Sequence, residues 1–120
     1  MSGTESRAVH EWDGRGPGAQ ESLISMSELL GRKWCPVVLY RLLRDGPMGF
    51  SELKRDVDGV SGKMLSESLE RLETRYDLVE RSVVSERPFR VAYAPTERGE
   101  SLAPLLSEMV AWATEHVEAT

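Results

Sequence analysis

The sequence predicts a mostly helical α+β domain, with one β-hairpin set between its penultimate and last helices. Three observations carry that prediction. Apolar residues recur at helical spacing from Leu23 to Tyr76, the period changes to strand-like alternation from Leu78 to Ala94, and helical spacing returns after Thr96. A chain of 120 residues, 40% hydrophobic and 29% charged, fits one ordinary globular domain.

Residues 1–20 hold Gly14, Gly16, Pro17 and Gly18 with little apolar content, and are expected to form a flexible arm ahead of a domain over 21–120. The glycine cluster lacks both the Lys-Ser/Thr ending and the preceding strand of a phosphate loop. Leu23, Met26 and Leu30 form one helical stripe, so a first helix is expected over 21–31, stopped by Gly31. A second helix begins near Trp34, with Pro36 tolerated in its first turn. Val37, Val38, Leu39, Leu42 and Leu43 cover most of its circumference, which marks it as the central buried helix, ended by Asp45-Gly46-Pro47. Phe50, Leu53 and Val57 give a short third helix, closed by Asp58-Gly59.

Ser61 is a good N-cap for a fourth helix over 62–75. Leu65, Leu69, Leu72 and Tyr76 line one of its faces; Gly62, Lys63, Ser66, Glu67, Glu70 and Arg71 line the other. Leu78–Val84 is rich in β-branched residues, and Phe89, Val91 and Tyr93 alternate with Arg90, Ala92 and Ala94 across a tip at Ser85–Pro88. Thr96 then caps a long helix over 97–117, which Pro104 is expected to bend. Two helices joined by the tight Asp58–Ser61 turn and followed at once by a hairpin describe a winged helix-turn-helix. In such a fold the 62–75 helix enters a DNA major groove and the hairpin tip lies against the neighbouring backbone.

Net charge at first points the other way, because the whole chain carries −5. The deficit is uneven: residues 1–28 carry −3 and 97–120 carry −4, whereas 29–96 carry +2 and, within them, 32–55 carry +4. Such asymmetry suits a protein that offers one face to a polyanion, the plainer alternative being chance clustering on a solvated surface. The longest apolar run, Trp34–Tyr40 with Pro36 inside it, is too short to cross a bilayer. The polar start, Met1–Glu5, lacks the apolar core of a signal peptide, so a cytoplasmic location is expected. The single cysteine, Cys35, excludes an internal disulfide and an all-cysteine metal site. No HExxH, CxxC, Gly-x-Ser-x-Gly or Walker spacing occurs, and His10 and His116 are far apart and read as surface residues; no enzyme, metal site or cofactor is expected.

An ordered series of segments carries a resemblance. It runs through Gly31-Arg32-Lys33-Trp34, Leu42-Leu43, Gly46-Pro47, Phe50-Ser51-Glu52-Leu53, Val60 to Ser66 and Leu69-Glu70-Arg71-Leu72. It continues through Leu78-Val79-Glu80-Arg81, Pro88, Arg90-Val91-Ala92-Tyr93, Thr96-Glu97-Arg98-Gly99 and Trp112. Over roughly residues 22–117 the chain resembles the HxlR family of prokaryotic transcriptional regulators, relatives of the MarR group. The resemblance implies a homodimeric, sequence-specific DNA-binding repressor or activator on a palindromic operator, and names no effector. Three departures stand out. Gly49 occupies a position that is commonly basic, and Asp77 one that is often glycine, though Asp tolerates left-handed backbone angles. Redox-sensing members carry their cysteine upstream of the first helix, where this chain has none, so a thiol switch is not carried over.

On the 62–75 helix Ser61, Lys63, Ser66 and Glu67 are the candidate base readers: Lys for guanine, Ser for either base type, Glu for the cytosine amino group. Arg71 is either a phosphate contact or the i+4 partner of Glu67. Arg87 and Arg90 on the wing read as phosphate or minor-groove contacts; Arg32, Lys33, Lys54 and Arg55 are backbone anchors or plain surface. The plainer reading of the helix is a solvated amphipathic face. Apolar breadth on the 97–117 helix exceeds one stripe, which predicts dimerisation through Leu102, Leu106, Met109, Trp112 and Ala113, joined by Leu23 and Met26 of the first helix. Cys35 reads as a small core residue. A helix N-terminus can lower a thiol pKa, which supports the alternative of a redox or ligand sensor. A further alternative is a protein-binding adaptor on the same scaffold.

Overall fold

The computed structural model describes residues 18–117, so most of the expected arm, His10 included, lies outside the described residues. The chain divides into two compact units, one ending at Gly31 and one starting at Arg32. In the first, α1 spans Ala19–Leu30. It opens two residues inside the segment expected as arm, because Gly18 takes a left-handed conformation (φ 86°) and the chain turns into the helix there.

The second unit is built around α2, Trp34–Asp45, which buries Cys35, Val38, Leu39 and Leu42. Helix α3 spans Phe50–Asp56 and α4 spans Gly62–Glu70. Strands β1, Val79–Glu86, and β2, Phe89–Pro95, form one antiparallel hairpin. Its register runs from Val79↔Pro95 to Glu86↔Phe89, and Val84 is the extra residue of a bulge between Val83↔Val91 and Ser85↔Arg90. Helix α5 is the single turn Glu97–Glu100, and α6 spans Ala103–His116. Met48, Leu53, Val57, Val60, Leu65, Leu69, Leu72, Leu78, Val79 and Leu106 complete the core of this unit.

Three expectations need correction. Helix 62–75 is α-helical only to Glu70; Arg71–Arg75 is wound as a π-helix, with Tyr76 N–H donating to Arg71 O at 3.1 Å. At the junction the Thr74 hydroxyl donates to Glu70 O (2.8 Å), a side-chain bond that competes with regular winding. The expected long helix 97–117 is two helices, because Gly99 packs against Leu78 so closely that a Cβ there would overlap Leu78 O. The chain therefore turns at Ser101–Leu102, and Pro104 lies in the first turn of α6, where its missing N–H costs nothing, instead of bending a continuous helix. The hairpin tip is Arg87–Pro88, shorter than Ser85–Pro88, since the ladder extends to Glu86↔Phe89.

Candidate nucleic-acid interface

The α3–turn–α4 unit is set by a few local choices. Val57 and Val60 are buried at either side of the turn, and Gly59 between them is left-handed (φ 90°). Gly49 N–H donates to Glu52 Oε1 at 2.9 Å and starts α3; Ser61 Oγ accepts from Met64 N–H at 3.1 Å and starts α4. Arg41 on α2 donates to Asp56 O at 3.2 Å, tying the end of α3 to the central helix. That anchor is invisible in the sequence pattern, since nothing there pairs residues so far apart.

With α3 so placed, Leu65, Ser68 and Leu69 of α4 face inward, while Lys63, Ser66, Glu67 and Glu70 are exposed. Lys63 Nζ lies 3.1 Å from Glu67 Oε2, one turn away on the open face. This settles the partner of Glu67: it is Lys63, and Arg71 is half-buried in the π segment, beside a polar cleft lined by Glu67, Glu70, Thr74 and Arg75. An exposed pair at this spacing contributes only about 0.2–0.5 kcal/mol, so either partner can be given up to a base edge at little cost. Ser61 is exposed, but its hydroxyl oxygen already serves the cap.

The backbone candidates come from other elements. Arg32, Lys33, Lys54 and Arg55 are all exposed. Lys33 Nζ sits 4.9 Å from the Trp34 ring centroid, a cation–π contact. Arg55 Nε is 3.4 Å from Asp56 Oδ1. The Lys54 stem passes beside Gly62, where a Cβ would meet its Cε at 3.6 Å. On the wing Arg87 and Arg90 are exposed, and so is Phe89, which the alternation had grouped with the half-buried Val91 and Tyr93. Phe89 instead borders an open cleft between the wing and the start of α3, with Pro47–Glu52 on one wall and Val84, Arg90, Val91 and Ala92 on the other, and most of its ring remains exposed.

Cys35 is buried, with Sγ 3.9 Å from Ser68 O. Burial pushes its thiol pKa up, and the Ser68 bond and the charges of Arg71 and Arg32 offset this only in part. The lowering suggested by its place at a helix start is thus overruled by desolvation.

Of the expected dimer contacts, Trp112 is 60% exposed, Met109 is exposed, Leu102 and Ala113 are half-buried, and Leu106, at 4%, belongs to its own core. Leu105, Val110 and Val117 extend the exposed apolar surface of α6. His116 is exposed, as read, but stacks on Trp112 (centroids 4.5 Å apart) and its Nδ1 lies 2.9 Å from Trp112 O. On α1, Leu23 and Ile24 are exposed and Met26 is half-buried. Among the described residues no group of His, Cys, Asp and Glu is placed to hold a metal ion.

Residues 29–120 match the family model described as HxlR-like helix-turn-helix. The chain is 39% identical over 94 residues to the HTH-type transcriptional regulator YodB of Bacillus subtilis strain 168, covering 78% of this chain and 82% of that protein. The structure of the reduced form of B. subtilis YodB superposes with a TM-score of 0.70 at 37% identity, covering 82% of this chain and 95% of the other. A MarR-family protein from Porphyromonas gingivalis W83 gives 0.72 at 25% identity, over 87% and 95% of the two chains. The redox regulator HypR in its reduced form gives 0.73 at 28% identity, over 82% and 95%.

Proposed function

The chain belongs to the HxlR-like helix-turn-helix family and is a DNA-binding transcriptional regulator, and from that premise we propose that it acts as a homodimer on a roughly palindromic operator. The observation that carries the reading is the open face of α4. Behind a Ser61 cap it offers a donor, Lys63, a hydroxyl, Ser66, and an acceptor, Glu67, with the opposite face locked into the core. This is the set of groups that base edges in a major groove discriminate.

Dimerisation is read from α6, whose Leu105, Met109, Val110 and Trp112 are exposed among the described residues. A two-fold contact there lets two recognition helices enter successive major grooves about 34 Å apart on one side of the duplex. Arg87 and Arg90 of the wing, with Arg32, Lys33, Lys54 and Arg55, neutralise phosphates and fix the register. Arg71, half-buried, lies in the cleft beside Glu67 and Glu70 and is the weaker phosphate candidate. No chemical step is assigned to the protein: it is a binding module, not an enzyme, and works in the cytoplasm with its DNA. No helix among the described residues is long and apolar enough to cross a membrane.

The redox reading finds no support at Cys35, which is buried and holds its proton more tightly than an ordinary thiol. The adaptor reading gains little from α4, whose open face carries Met64 as its one exposed large apolar side chain among Lys63, Ser66, Glu67 and Glu70. The test is selection of binding sites from a random duplex pool, followed by gel shift at moderate salt. A sequence-specific shift that weakens on Lys63→Ala and Arg90→Ala is expected. No specific shift, together with no effect of either substitution, would overturn the proposal.

A further inference from the structure

Phe89 is 64% exposed and stands where the two strands of the wing join, between Arg87-Pro88 and Arg90. Val83 and Val84, just behind it on β1, are 48% and 59% exposed. Val84 and Phe89 share one cleft wall with Arg90, facing Pro47–Glu52, so the outer part of the wing offers exposed apolar groups edged by two guanidinium groups. Neither Arg87 nor Arg90 makes an ion pair among the described residues, and the segment 83–90 holds one carboxylate, Glu86.

The base of this arm is fixed. Leu78 and Val79 are buried, and Met48 and Tyr93 exchange backbone hydrogen bonds of 3.0 and 2.8 Å. From there β1 runs for eight residues, about 26 Å at the usual rise. The arm thus carries an aromatic ring that stays 64% exposed at the mouth of the cleft it shares with Pro47–Glu52. The flanking charges identify the occupant. A protein partner would leave two guanidinium groups to be desolvated without assigned counter-charges, whereas a duplex supplies a phosphate on either side and a stack of bases between.

We propose that Phe89 is a minor-groove wedge: it enters a base step at the flank of the operator while Arg87 and Arg90 hold the phosphates beside it, and the bound duplex is kinked there. The inference rests on the DNA-binding reading above and adds to it a source of specificity. Pyrimidine–purine steps unstack most easily, so the flank is selected by deformability at positions no side chain reads by hydrogen bonding.

The experiment uses the full chain and a duplex that it selects itself from a random pool, end-labelled for energy transfer and carrying 2-aminopurine at the flanking step. Wild type is expected to shorten the end-to-end distance and brighten the 2-aminopurine. Phe89→Ala, with an unchanged thermal melt, is expected to bind the same duplex roughly tenfold more weakly, straight and dark. Phe89→Leu, an alternative apolar wedge, should retain part of both signals. Arg87→Ala should keep the kink and lower the salt slope by about 1 per subunit. If Phe89→Ala bends the duplex and brightens the probe as wild type does, the wedge is overturned while DNA binding stands; such a result would hand the apolar tip to a protein partner. If wild type selects no duplex at all, the DNA-binding reading falls and the wedge falls with it.

Discussion

At the scale of single residues, the environment of Cys35 reverses what its position suggests. A thiol in the first turn of a helix gains from the helix dipole only if its thiolate is solvated, and Cys35 is shut away among α2 and α4 side chains. Its pKa lies above the ordinary value of 9.0. The folded state therefore keeps a proton that the unfolded chain gives up. The stabilising contribution is fully present below the unfolded thiol's pKa and is lost as pH rises from there through the folded pKa, at no more than about 1.4 kcal/mol per pH unit. Denaturant titrations from pH 8 upward should show this decline in wild type and a flatter limb in Cys35→Ala. A thiol reagent should react with the native protein only as fast as it opens; rapid labelling would show Cys35 to be accessible in the folded state. Gly99 illustrates the opposite case, a residue chosen for having no side chain. Because a Cβ there meets backbone, Leu78 O, which cannot swing aside, Gly99→Ala should cost about 1–3 kcal/mol or more, read from the urea midpoint.

At the scale of elements, α6 carries two kinds of apolar residue that the sequence alone does not separate. Leu106 is core and Trp112 is surface, although both sit in one broad apolar pattern. Leu106→Ala should therefore cost about 2–5 kcal/mol of stability. Trp112→Glu should leave the melt of the monomer unit intact but shift the chain from dimer to monomer by sedimentation or light scattering. Dimers that survive Trp112→Glu would place the interface elsewhere. The same contrast explains what could be read in advance. The central helix, the Ser61 cap, the turn before it and the hairpin were legible because each rests on periodicity or capping within a few residues. The left-handed turn at Asp77 (φ 55°) was legible too, from its small polar side chain. The π winding of Arg71–Arg75, the break before α6 and the outward ring of Phe89 were not. The π winding goes with a local Thr74–Glu70 bond that a helical pattern does not announce, while the other two depend on contacts distant in sequence: Leu78 against Gly99, Thr96 Oγ1 donating to Asp77 O at 2.8 Å, and a bulge whose place only the paired register reveals. The Lys63–Glu67 pair was available from i,i+4 spacing, which fits Arg71 equally well, and only the π turn decides between them.

At the scale of the whole molecule, the question is how a chain of net charge −5 holds a polyanion. The acidic excess lies at residues 1–28 and 97–120, away in sequence from the helix-turn-helix and wing, which carry +2. Long-range repulsion from those ends is screened beyond about 8 Å at physiological salt, so affinity depends on which cations reach phosphates directly. Of the six backbone candidates, Arg55 is engaged with Asp56 and Lys33 with the Trp34 ring. Arg32, Lys54, Arg87 and Arg90 make no ion pair among the described residues. These four give a dimer about eight phosphate contacts, and releasing Arg55 and Lys33 from their exposed partners raises this to about twelve, so the plot of log K against log salt should have a slope no steeper than about −11. Fluorescence anisotropy between 50 and 300 mM salt (about the range over which such slopes are linear) measures it. A slope steeper than the limit would mean that further arginines, Arg41 or Arg44 of α2 among them, face the duplex, and the binding surface would then have to be turned toward the central helix. A slope near zero would mean that shape and base contacts dominate, and the wing arginines would lose the role given them here.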